Sequence, residues 1–354
     1  MKARLIDIAK LAGVSPSTVS LVLRGKSAAS PETCKKIFTI AEQYGYSAAT
    51  LNITKRNKEL TFAKIVKHGN ILNPDHFLFV NDYIDGIISQ AGKAGYGVIV
   101  DSFDLRTTSM HHILSQLTNY ASSGIIILAT ELAPEDLNQF ESLSIPFVFL
   151  DAYYDFLPYS FFDMNNTDSL FQILEYLKRK GHRKIGMCSA QCESANYQRR
   201  RTDFATCLDK LSLEVYDINR FTIKKGKHHE YSEIKAALQT YRSDLPTALF
   251  CVSDALALTV LKAANELAIR VPDELSLVVF DNLDVDTIIT PSLTSVDVPK
   301  RAIAQEATAS LIQMIEVDEL LAPKKVLLSG TIVYRESVAD RKSTRLNSSH
   351  VALS

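Results

Sequence analysis

The run Ile8-Ala9-Lys10-Leu11-Ala12-Gly13-Val14-Ser15-Pro16-Ser17-Thr18-Val19-Ser20 constrains this chain more than any other stretch. Ile8, Leu11 and Ala12 recur at helical spacing. Gly13 supplies a residue that tolerates the left-handed conformation at a helix end. Ser15 can cap a second helix, and Pro16 suits its first position, where no N–H is needed. Val19, Val22 and Leu23 give that helix an apolar stripe. Two short helices joined by a Gly-containing turn predict a helix-turn-helix. Ser30 and Pro31, followed by Ile37, Ile40, Ala41 and Tyr44 on one face and then by Gly45, predict a third helix. Each helix is too short to be stable alone. The three must pack together as an all-α head over residues 1–46.

The charges point this head at a polyanion. Residues 1–60 hold ten basic and four acidic residues, a net +6. The whole chain is −1, so the remainder carries −7. A basic tip on an acidic body fits a DNA partner. A helical subdomain with a solvated charged face is the plainer alternative, but cap, turn, period and charge all agree on the first.

Residues Leu5 to Tyr46 resemble the DNA-binding head of the LacI/GalR family of bacterial repressors. The residues that carry this are Ile8-Ala9-x-x-Ala12-Gly13-Val14-Ser15-x-x-Thr18-Val19-Ser20-x-Val22-Leu23-x-Gly25, then Ser30-x-x-Thr33, then Tyr44-Gly45-Tyr46. The resemblance implies that the second helix lies in the major groove, with early residues at base edges and hydroxyls on phosphates. It places Pro16, Ser17 and Leu21 at base-facing positions, and Thr18, Ser20, Ser30 and Thr33 as phosphate and cap hydroxyls. Two positions depart from it. Leu21 stands where many members carry a guanine-reading Arg, and Arg24 replaces the usual Asn before Gly25. Leu and Pro offer only apolar contacts, for example to a thymine methyl, so the expected half-site differs from those of Arg-bearing relatives. Leu21 equally suits packing within its helix.

Residues 47–60 are polar, with Lys55, Arg56, Asn57 and Lys58 close together, and read as a hinge linker. Family members insert a Leu from this segment into the minor groove. Lys55 occupies the matching position here, and Leu51 and Ile53 are out of register. The expectation is a displaced wedge or weaker DNA bending.

After the head, nearly 300 residues remain in a chain that is 46% hydrophobic, enough for two α/β lobes. Short apolar runs at Phe62–Val66, Gly97–Val100, Gly124–Ala129 and Phe147–Leu150 alternate with amphipathic helices. The series restarts with strands at Lys184–Cys188, Ile218–Ile223, Ala248–Val252 and Leu275–Phe280. Such alternation predicts parallel sheets covered by helices on both faces. The later landmarks, among them Gly181-His182-Arg183-Lys184-Ile185-Gly186, Ser253-Asp254-Ala255-Leu256-Ala257 and Phe280-Asp281-Asn282, resemble the family's effector-binding body. That resemblance implies two Rossmann-like lobes of periplasmic-binding-protein type, with three chain crossings near residues 160, 292 and 323. The expected lobes are 61–160 with 293–322, and 161–292 with 323–339.

In doubly wound sheets ligands bind at the carboxyl ends of strands, and here two such ends would face each other. The candidates for effector binding are Asp151 after Phe147–Leu150, Arg200 before Phe204, Asp254 after Ser253, and Asp281 after Phe280, with Phe77 or Tyr231 to stack on a sugar face. Carboxylates and Arg suit hydroxyl-rich ligands, because each makes two directed hydrogen bonds. Asp254 equally suits a helix cap, and Arg199-Arg200-Arg201 a solvated surface run. Ser253 stands where many members have Asn.

Other chemistry finds little support. The five cysteines are odd in number and lack metal or redox spacing, as in a reducing compartment. The pairs His111-His112 and His228-His229 point apart and make poor metal sites. Gly95-x-Gly97 lacks the rest of a dinucleotide loop. Neither a catalytic constellation nor a cofactor site is expected. No stretch approaches the roughly 18 apolar residues of a membrane span. The head begins almost at once, without a secretory signal, so a cytoplasmic, nucleoid-associated protein is expected.

The expected function is a ligand-responsive repressor of a carbohydrate-utilisation operon, acting as a homodimer on palindromic operator DNA with a sugar or sugar phosphate as effector. The alternatives are a solute-binding protein of transport and a sugar-processing enzyme. Residues 340–354 have no apolar period and read as a disordered, non-native tail.

Overall fold

The computed structural model describes residues 5–15, 18–19, 22, 29–43, 58–69, 74–120, 122–191, 194–215, 218–223, 229–317 and 321–342. In the head, the helix Leu5–Ala12 ends at Gly13, whose φ is +73°. The Val14 N–H returns to Ala9 O at 3.0 Å, the 6→1 bond of a Schellman cap. Residues 18, 19 and 22 are helical, and a further helix spans Pro31–Gln43. Ser15 and Ser30 cap as expected. Their hydroxyls accept the N–H of Thr18 at 3.0 Å and of Thr33 at 3.3 Å. Ile8, Ala9, Ala12, Val19, Val22, Ile37 and Ala41 form the head's core. Leu11 is a correction: it is half exposed, because it falls off the buried stripe set by Ile8, Ala9 and Ala12.

The body holds two sheets. The first runs in the order β12-β5-β4-β3-β1-β2, from strands β1 Glu59–Val66, β2 Gly97–Asp104, β3 Gly124–Leu128, β4 Phe147–Leu150, β5 Phe161–Met164 and β12 Lys325–Leu328. The second runs β13-β11-β10-β9-β6-β7, from β6 Lys184–Ala190, β7 Glu214–Val215, β9 Ala248–Cys251, β10 Ser276–Phe280, β11 Thr294–Asp297 and β13 Thr331–Val333. A short β8, Thr222–Ile223, pairs with β6. The central strands pair in parallel, Ile125 with Phe147 and Ile185 with Ala248 for example, and β13 is antiparallel to its neighbour β11. All five residues of β3 and of β10 are buried, as strands covered on both faces require.

The three crossings fall later in the chain than expected. Phe161–Met164, Thr294–Asp297 and Lys325–Leu328 each complete the sheet of the lobe they leave. The chain therefore passes between lobes near residues 165, 298 and 329. These strands are four residues long and carry Asp163, Ser295 or Lys325, so they lack the unbroken apolar run that marks β3. Three further expectations change. β1 begins at Glu59 and Leu60 is fully buried, so the hinge segment stops short of residue 60. Ile218–Phe221 forms a 3-10 turn ahead of β8 instead of a strand. Asp340–Lys342 are ordered: the Arg341 N–H donates to Lys180 O at 2.9 Å, and Asp340 pairs with Lys180 at 3.1 Å, closing the end of the helix Asn166–Arg179. Residues 343–354 lie outside the described residues.

Two long helices fix the first lobe, Pro74–Lys93 and Lys300–Glu316. They meet at Gly86, where a Cβ would stand 2.5 Å from Arg301 O, so only glycine allows this approach.

Candidate functional site

The carboxyl ends of the two sheets carry a set of matched strand-end residues. Asp151 follows β4 and Asp281 follows β10, and both have left-handed backbones, with φ of +63° and +101°. Asn282 shares this, at +53°. Non-glycine residues held there cost free energy and cluster at functional sites. Asp151 is almost fully buried. Its carboxylate accepts from the Tyr83 hydroxyl at 3.0 Å, from the Thr130 hydroxyl, and from Asn196 Nδ2 at 3.2 Å. Burial and the Asp151 charge together push the Tyr83 hydroxyl well above the usual phenol range.

From Asn196 a polar chain runs on into the second lobe. Asn166 Nδ2 donates to Asn196 Oδ1 at 2.7 Å, and Arg200 Nε donates to Asn166 Oδ1 at 2.8 Å. Arg200 is 2% exposed. Its Nη1 donates to Val252 O at 2.5 Å, its Nη2 approaches Met164 Sδ at 3.0 Å, and its guanidinium lies 3.6 Å from the centre of the Phe280 ring. Nη2 also faces Asp281 Oδ1 at 3.6 Å. The chain then returns to the first lobe, where Lys300 Nζ donates to Asp281 O at 2.9 Å and stands 3.6 Å from Asp82 Oδ2. Asp82 and Tyr83 are neighbours on one helix, so these groups close a ring that crosses between the lobes twice.

A second carboxyl, Asp163, projects from β5 beside this ring. Asn196 Nδ2 reaches it at 3.4 Å. Burial first, and then the Asp151 charge, raise Asp163 well above the usual carboxylate range. Next to it opens a small cleft lined by Tyr153, Asp163, Asn165, Asn166, Asn196 and Arg199 among others. At its mouth Arg199 pairs with Asp155 at 3.1 Å and lies over the Tyr153 ring. Uncharged amides and carboxyl groups offer directed hydrogen bonds to a small polar molecule.

Of the sequence candidates, Asp151, Arg200 and Asp281 meet here. Asp254 does not join the ring. It is buried at the start of the helix Asp254–Glu266 and accepts the Leu283 N–H at 3.2 Å, so it holds the strand-end loop from behind. Burial and the charges of Asp281 and Asp286 raise its carboxyl well above the ordinary range. The cap of that helix is Ser253, whose hydroxyl accepts the Leu256 N–H. Tyr231 is a correction. It packs beside Lys262, 4.6 Å from the ring centre, and near Glu266 at the far end of the same helix, about two turns from the strand ends. The side chain of Phe77 lies outside the described residues. Tyr83, Thr130, Asp163, Asn166, Asn196 and Lys300 were not anticipated. Asn166, Asn196 and Lys300 each sit at a helix start directly after a lobe crossing or a strand-end loop, which is the signal that would have found them.

In the head, Thr18, Ser30 and Thr33 are described, and their hydroxyls close reciprocal contacts, Ser15 with Thr18 at 2.9 Å and Ser30 with Thr33 at 2.8 Å. Pro16, Ser17, Ser20, Leu21, Arg24 and Lys55 lie outside the described residues. Among the described residues no group of His, Cys, Asp or Glu can hold a metal ion, and no helix is long and apolar enough to cross a membrane.

Comparison with known proteins gives two matches to family models. Residues 4–48 match the model described as bacterial regulatory proteins, lacI family, and residues 174–338 match a periplasmic binding protein-like domain. Among named relatives, the HTH-type transcriptional repressor PurR of Aliivibrio salmonicida is 26% identical over 317 residues, covering 89% of this chain and 92% of that one. Its counterpart in Vibrio cholerae serotype O1 is 26% identical over 341 residues, covering 96% and 98%. Among solved structures, the transcriptional regulator CelR in complex with cellobiose superposes with a TM-score of 0.70 at 20% identity, covering 95% of this chain and 99% of that one. The lac repressor dimer bound to operator and the anti-inducer ONPF gives 0.67 at 20% identity, covering 96% and 100%.

Proposed function

Because this chain belongs to the LacI family of bacterial regulatory proteins, we propose that it is a repressor whose hold on operator DNA responds to a small molecule bound between its lobes. The observation that carries this is the buried polar ring from Asp151 through Asn196, Asn166 and Arg200 to Asp281 and Lys300. A helix-turn-helix alone would bind DNA without sensing anything. A ring that joins two lobes gives a ligand the means to change their separation. A ligand that exchanges hydrogen bonds with both arcs favours one lobe arrangement over the other, and operator affinity follows by linkage.

The effector we infer is a hydroxylated molecule, and the regulated genes those of carbohydrate use. Carboxylates, amides and an Arg stacked on Phe280 suit hydroxyls. CelR, similar in fold, is a complex with cellobiose. Two copies of the chain would present two heads to a palindromic site, as paired half-site readers do. With Leu21 in place of a guanine-reading Arg and Lys55 in the hinge, the operator differs from those of Arg-bearing relatives.

Selection of bound genomic fragments by the purified chain, with and without candidate sugars, tests the proposal. The expected result is a palindromic site near genes of sugar uptake or breakdown, with occupancy that changes on sugar addition. Turnover of the sugar without any change in DNA binding would favour an enzyme instead.

A further inference from the structure

One buried charge in the ring is held by a single hydrogen bond, the one that closes the ring onto Asp281. Lys300 opens the helix Lys300–Glu316, just after the chain returns to the first lobe, and is 5% exposed. An ammonium carries three donors. Lys300 makes one hydrogen bond, to Asp281 O at 2.9 Å. The Asp82 carboxylate at 3.6 Å is past hydrogen-bond reach and is itself 56% exposed, while the Phe79 ring lies 5.0 Å from the ammonium. Burying an ammonium is costly unless charge and hydrogen bonds offset it. One carbonyl and one distant, solvated carboxylate offset little.

The neighbouring groups decide what would complete the site. Arg200 is already engaged by Asn166, Val252, Met164 and Asp281. Lys300 has used one of the three donors its ammonium offers. Pro299 supplies no side-chain cap to the helix, so the amino end beside Lys300 adds partial positive charge. Across the ring, Asp151, Asp163, Asn166 and Asn196 make an arc that suits hydroxyls.

We propose that Lys300 seats an acidic group, a carboxylate or a phosphate ester, carried by an otherwise hydroxylated effector. Asp82 is the internal counter-ion that this group replaces. The proposal rests on the regulator reading of the cleft and names the class of its ligand.

Calorimetry on the full chain with glucose, glucuronate and glucose 6-phosphate tests it, with operator binding followed in the same samples. At least one acidic probe should bind about tenfold or more tighter than glucose, the worth of a hydrogen bond to a charged group. Lys300→Met should remove that preference. Asp82→Asn, with its fold checked by the thermal midpoint, should strengthen the acidic probe several-fold. Which acid binds identifies the group. No binding of either acidic probe, glucose binding as tightly as both, or an Asp82→Asn protein with unchanged preference would overturn the proposal. A chain that prefers the acidic probe but binds no DNA sinks the regulator reading alone. A chain that binds operator and prefers glucose sinks this inference alone.

Discussion

At the scale of single residues, buried charge sets the terms. Arg200 holds Asn166 and Val252 by direct hydrogen bonds and covers Phe280. Arg200→Met should leave both acceptors buried without a donor and lower unfolding free energy by about 3 kcal/mol, measured in denaturant. Asp286 and His182 act in opposite directions with pH. Asp286 is fully buried, and burial raises its carboxyl from 3.8 to about 6. A raised carboxyl contributes stability that is full below its unfolded value and lost as pH climbs through about 6, worth up to ~3 kcal/mol. His182, held by Thr247 and Ala339 O, is lowered from 6.5 to about 4, by burial first and then by Arg341. Its contribution is present above 6.5 and lost as pH falls through about 4. The two slopes offset each other between those limits. Asp286→Asn should therefore gain stability over the native chain at pH 7.5 and none near pH 4. His182→Gln should lose part of the acid sensitivity between pH 6.5 and 4. Unfolding curves over that range check both.

At the scale of elements, caps and close approaches decide what persists. Ser15→Ala removes the acceptor for the Thr18 N–H and should cost the head about 1 kcal/mol, read as faster amide exchange in its helices. Gly86→Ala drives a methyl against Arg301 O and should lower stability by about 1–3 kcal/mol. This scale also shows how much the sequence disclosed. Gly13, Ser15 and Ser30 announce the head's helix ends through local chemistry, and the structure places them there. β3 and β10 are legible because five consecutive residues are buried on both faces. β5, β11, β12 and β13 were not, since three or four residues of mixed polarity carry no period. The site divides in the same way. Asp151 and Asp281 follow readable strands. Asn166, Asn196 and Lys300 act through partners that are 30 or more residues away in sequence or on the other lobe, as the Asn166–Asn196 bond shows, and no local pattern encodes that. Tyr231 misled because an aromatic on a helix gives no hint of which end of its neighbour it meets.

At the scale of the molecule, a basic head and an acidic body divide the labour. A chain lacking residues 1–58 should keep its affinity for the effector and lose operator binding altogether, measured by fluorescence anisotropy. In the intact chain, operator affinity should fall linearly on a log–log plot against salt, because Lys and Arg displace counterions from phosphates. Within the body, three backbone threads near residues 165, 298 and 329 stitch the two sheets together. These threads run side by side, the Asn165 N–H donating to Leu328 O at 2.8 Å and Gly330 packed against Asp297 O, so a bend at one joint is felt at the other two.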